Sequence, residues 1–68
     1  MKHIAFIINP ISGAKRLQQV KRQLPELVNQ ILDHEQWQPT LVYTEHAGHA
    51  TELAQQFAHD GFDAVVSV

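Results

Sequence analysis

A chain of 68 residues with net charge −2 makes one small domain with a marginal core, since so short a chain buries only about 60% of its unfolded surface. With no cysteine, disulfides and thiolate metal sites are excluded and a cytoplasmic location fits, while the lack of a basic block argues against nucleic-acid binding. No apolar run approaches the roughly 20 residues of a transmembrane segment, and residues 4–8 are too short for the roughly 7–15-residue core of a secretory signal.

In chain order, Lys2–Ile8 reads as a strand. Ile4, Phe6 and Ile8 share one face, and Ala5 and Ile7 the other. Apolar residues on both faces mark a central strand of a parallel sheet covered by helices on both sides. Asn9, Pro10, Ile11, Ser12 and Gly13 break it, because Pro10 lacks a backbone donor and Gly13 tolerates unusual dihedrals.

Leu17, Val20, Leu24, Leu27, Val28, Ile31 and Leu32 then recur at threes and fours, the spacing of an amphipathic helix. Pro25 interrupts it, since an interior proline costs about 3 kcal/mol. The preferred reading is a short helix ending near Gln23 and a second one with Pro25 in its first turn, where Glu26 meets the positive helix start. Pro39 opens a second strand over residues 40–44, and Trp37 covers the join between helix and sheet. After the loop 45–48, Ala50, Leu53, Ala54, Phe57 and Ala58 form a third helical stripe, with Gly61 as its left-handed cap. Residues 62–68 return to strand, and the run 64–68 reads as buried.

The pattern is βαβαβ. It predicts an α/β fold, a three-layer α/β/α sandwich around a parallel sheet with strand order 2-1-3. Ligands in such sheets bind outside the carboxyl ends of the strands, at the switch point between strands 1 and 3. A bare apolar strand at the chain end is read as a truncation, whose exposed sheet edge invites self-association.

Residues 9–16 are the most informative segment. A rigid turn presents an amide and a hydroxyl, donors of a helix start follow, and Lys15 and Arg16 lie just beyond. These are the parts of a phosphate cradle. An ordinary turn with Ser12 as helix cap and solvated cations fits equally well. Neither the P-loop nor the dinucleotide-binding spacing is present. At the end of strand 2, Thr44 can donate to a base or phosphate and Gly48 permits close approach, while position alone favours an ordinary loop leading to a helix cap. His46, His49 and Glu45 invite a metal reading, but two imidazoles without a third ordered ligand rarely hold a metal. His3, His34 and His59 are scattered and expected to face solvent.

These residues resemble a family. The sequence Asn9-Pro10-Ile11-Ser12-Gly13 after an N-terminal strand is similar to the NPxSG motif of the diacylglycerol kinase-like lipid kinases, which include bacterial diacylglycerol kinases and sphingosine kinases. Residues 44–54 look like that family's second strand and helix. Residues 64–68 resemble the strand leading into its Gly-Gly-Asp-Gly-Thr loop. NAD kinases share the later loop and lack the first motif.

The resemblance implies that residues 1–68 are the N-terminal fragment of the ATP-binding domain of a lipid kinase. ATP would be held by Asn9, Pro10, Ile11, Ser12, Gly13 and Thr44, with Lys15 or Arg16 adding charge. Its γ-phosphoryl group would pass to a lipid hydroxyl, with Mg²⁺ neutralising charge. The metal site, the catalytic residues and a C-terminal β-rich domain would lie outside these residues, so the fragment alone is expected to be inactive. The implied partners are ATP and a membrane lipid, with no nucleic acid. The implied location is cytoplasmic or peripheral at a membrane. The alternative is a non-catalytic flavodoxin-like or receiver-like phosphate-binding module. A receiver would want acidic residues where Asn9 and Pro10 stand, and a flavodoxin a hydroxyl-rich loop.

Overall fold

A computed structural model of the chain describes residues 1–11 and 13–68. Six elements follow one another: β1 (Lys2–Ile8), α1 (Lys15–Arg22), α2 (Leu24–Ile31), β2 (Trp37–Tyr43), α3 (His49–His59) and β3 (Ala64–Ser67). The three strands are parallel and ordered β2-β1-β3. The expected α/β/α arrangement and the central place of β1 are therefore both present.

β1 sits in the middle because it is the strand that can be buried on both faces. Ala5, Ile7 and Ile8 are fully enclosed, and Val28 of α2 joins them in the core. The two crossovers run in opposite directions from β1, and right-handed connections then place their helices on opposite faces. Phe6 lies under α2, while α3 packs on β1 and β3. The register sets Ile8 opposite Tyr43 and Ile4 opposite Ala64. Past the strand ends, Thr44 N–H donates to the Ile8 carbonyl at 2.8 Å and Asn9 N–H to the Val68 carbonyl at 3.2 Å. These two bonds bring the carboxyl ends of all three strands to one rim.

The helices break where proline dictates. α1 ends at Arg22 with Gln23 as its cap, and α2 carries Pro25 in its first turn beside Glu26. α3 starts after Gly48 at φ 78° and is followed by Gly61 at φ 83°, both left-handed. Phe62 folds back on Phe57, with ring centroids 4.8 Å apart.

Two expectations need correction. β2 begins at Trp37 and contains Pro39, so Trp37 is a strand residue opposite Lys2, whose ammonium lies 5.3 Å from the indole centroid. Proline is tolerated there because β2 is an edge strand. Counting back by twos from Thr44, whose N–H faces β1, the Pro39 nitrogen points to the open side. Next, β3 is half-buried rather than buried, with Val66 and Val68 exposed. In addition, the stripe over α1 and α2 is largely uncovered: Leu17, Val20 and Leu27 are exposed and Ile31 is 82% exposed. The physical reason is the same for both. A three-stranded sheet is too narrow to cover them, and an apolar groove of about 290 Å³ remains between Phe6, α2 and Val68.

Candidate functional site

The carboxyl rim carries a cavity of about 350 Å³ lined by Asn9, Pro10 and Ile11 on one side and Thr44, Glu45, His46 and Ala47 on the other. It lies on the β2 side of β1, because the loop after β2 rises beside Asn9. The sequence reading set the ligand in the gap between β1 and β3, and this cavity lies on the other side of β1.

The first wall is a turn held from within. Asn9 Oδ1 accepts the Ile11 N–H at 3.2 Å, a two-residue side-chain turn that asparagine makes readily. Gly13 has φ 88°, and a Cβ there would stand 2.6 Å from Leu17 Cδ2. Only glycine takes this conformation without strain. Ser12 lies outside the described residues.

The helix behind the turn reaches back to it. The Gln18 side-chain amide donates to the Ile11 carbonyl and to the Gly13 carbonyl, both at 3.0 Å. Lys21, only 4% exposed, donates from Nζ to the Asn9 carbonyl at 3.1 Å. Neither Gln18 nor Lys21 was among the candidates read from the sequence. A signal for one of them existed: Lys21 stands four residues after Leu17, three before Leu24 and seven before Val28, as a charge on the apolar stripe of the two helices.

The second wall starts at Thr44, half-buried and fixed by its N–H to β1. Beyond it, Glu45 N–H donates to His49 Nδ1 at 2.9 Å. The rings of His46 and His49 stack at 4.4 Å, and His46 Nε2 lies 4.0 Å from Glu52. Among the described residues no group of three His, Asp or Glu side chains is placed to hold a metal ion. Gly48 and Gly13 do not line the cavity. Lys15 lines a separate cavity with Gln18, Gln19 and Arg22, and Arg16 is exposed. Of the six residues proposed to hold a nucleotide, Asn9, Pro10, Ile11 and Thr44 therefore meet at one cavity, with Gly13 shaping the turn behind it.

The family model described as the diacylglycerol kinase catalytic domain matches residues 3–68. Searches of curated proteins and of solved structures returned no match.

Proposed function

Because the chain belongs to the diacylglycerol kinase catalytic domain family, we propose that its protein transfers the γ-phosphoryl group of ATP to a lipid hydroxyl. Residues 1–68 supply part of the nucleotide site in the N-terminal part of the ATP-binding domain. The observation that carries the reading is the convergence of Asn9, Pro10, Ile11 and Thr44 on one cavity at the carboxyl ends of parallel strands. Open α/β sheets bind ligands at that rim.

The work of these residues is to hold and orient. Asn9, Ser12 and Gly13 take the phosphates, and the Thr44 hydroxyl reaches the nucleotide from the end of β2. Phosphoryl transfer rests mostly on positioning and charge neutralisation. Mg²⁺ would neutralise phosphate charge when bound, yet the described residues offer no ligand set for it. On this reading its ligands, the lipid pocket and the residues of the transfer step are contributed from outside residues 1–68, which would be inactive by themselves. A lipid acceptor places the working protein at a membrane surface, and no described helix is long and apolar enough to cross one. The non-catalytic module is the lesser reading, because nothing in it would account for a kinase-domain match.

Asn9→Ala in the full-length protein tests the assignment. Losing the amide that shapes the turn should weaken ATP binding about tenfold or more, the scale of one hydrogen bond to a charged group. Unchanged affinity would remove the turn from the nucleotide site.

A further inference from the structure

We propose that Gln18 and Lys21 are positioning residues that make the turn after β1 fit to receive an anion. The inference rests on the nucleotide reading above and names side chains that reading does not use.

A main-chain turn offers a ligand both N–H groups and carbonyl oxygens, and only the first attract a phosphate. Carbonyl oxygens facing the cavity would repel it. Here the carbonyls of Asn9, Ile11 and Gly13 all accept hydrogen bonds from α1, at 3.1, 3.0 and 3.0 Å. Two side chains are enough. Gln18 spends both amide hydrogens on two carbonyls, and Lys21, one turn along the same helix face, takes the third. The negative ends of these peptide units are drawn toward the helix. Carbonyl and following N–H point in opposite directions across a planar trans peptide. Pinning the Gly13 carbonyl to Gln18 therefore turns the Ala14 N–H away from that helix side chain.

The burial of Lys21 has the same sense. Lysine is almost never fully buried, because taking an ammonium out of water costs several kcal/mol unless it is compensated. At 4% exposure its positive charge is fixed against Asn9, a residue that lines the cavity. A cation held there favours an anionic ligand at short range, in a setting less screened than an exposed Lys15 or Arg16.

The test is binding of ATP and of adenosine to the full-length protein, read by displacement of a fluorescent ATP analogue. The variants are Gln18→Ala, Gln18→Glu and Lys21→Met. Gln18→Ala and Lys21→Met should each weaken ATP about tenfold and leave adenosine within about twofold. Gln18→Glu keeps the shape, loses the donors and adds a negative charge, so it should weaken ATP more than Gln18→Ala. Gln18 is half-buried on the helix, so its two variants carry the test even where Lys21→Met fails to fold. ATP affinity unchanged in the Gln18 variants overturns the inference. So does a parallel loss of ATP and adenosine, which would mean that the two residues only support the fold. A wild-type protein that binds no ATP overturns the nucleotide reading itself, and the role of both residues with it.

Discussion

The Tyr43 hydroxyl donates to the main-chain carbonyl of Lys21 at 3.0 Å, and Lys21 is the residue four before Pro25. In an unbroken helix that carbonyl would accept the N–H of residue 25, which proline does not have. A side chain from the end of β2 thus supplies the donor that the break between α1 and α2 removes. It also ties the second wall of the cavity to the helix that holds the first.

This relationship predicts coupling. Tyr43→Phe should destabilise the protein by about 0.5–1.5 kcal/mol, the net worth of one hydrogen bond. In a Pro25→Ala background the new N–H competes for the Lys21 carbonyl, and the cost of Tyr43→Phe should shrink. Urea unfolding of the four proteins of the cycle measures it. Equal costs in both backgrounds would show the two donors to be independent.

Gly13 and Gly48 form a matched pair for backbone strain. Both have positive φ, yet a Cβ at Gly48 meets nothing within 4 Å, whereas one at Gly13 meets Leu17. Gly48→Ala should cost only the left-handed strain, about 1–2 kcal/mol. Gly13→Ala should cost the same plus about 0.5–1.5 kcal/mol for displacing Leu17 from its rotamer. The excess should vanish when Leu17→Ala is added. Differences in denaturation midpoint at constant slope provide the comparison.

Ile7, 1% exposed, is one of the two largest fully enclosed side chains. Ile7→Ala should cost about 2–5 kcal/mol, a large part of the stability of any small domain. Urea unfolding of the full-length protein and of its Ile7→Ala variant, followed by circular dichroism, measures the loss. A transition kept within about 1 kcal/mol of wild type would place the core elsewhere.

The groove beside β3 leads to a fourth expectation. Val66 lies opposite Phe6 in register and so shares its face, next to Val68. On its own the 68-residue chain should associate as its concentration rises, and Val66→Lys should suppress this by charging the edge. Sedimentation velocity over a hundredfold concentration range reports it. A wild-type chain that stays monomeric throughout would refute the idea.

Much of the architecture is legible in local pattern. The apolar alternation of β1 on both faces announces a central strand, and Pro25 announces the break between α1 and α2. Gly61 announces the end of α3. What local pattern misses is what neighbours decide. Pro39 reads as a strand opener, because only its place on the sheet edge, with the nitrogen outward, lets the strand run through it. The stripe from Leu17 to Ile31 reads as amphipathic, since periodicity reports which face is apolar and not whether anything covers it.

The same divide runs through the site. Asn9, Pro10 and Ile11 stand out because turn chemistry is local, and Thr44 because it ends a strand. Gln18 and Tyr43 do not, since each acts on main-chain carbonyls whose position depends on tertiary folding. Lys21 is intermediate: a charge on an apolar stripe can be read, but the carbonyl that receives it cannot.

The position of Pro39 has a consequence for how this sheet can be extended. A strand added beside β2 would find a missing donor near its middle, while β3 presents an unbroken ladder of amide and carbonyl groups. Growth is therefore directional. Further strands, whether from this protein or another, are favoured beyond β3, which leaves β2 as the outer strand and keeps the cavity beside it at the margin of the sheet.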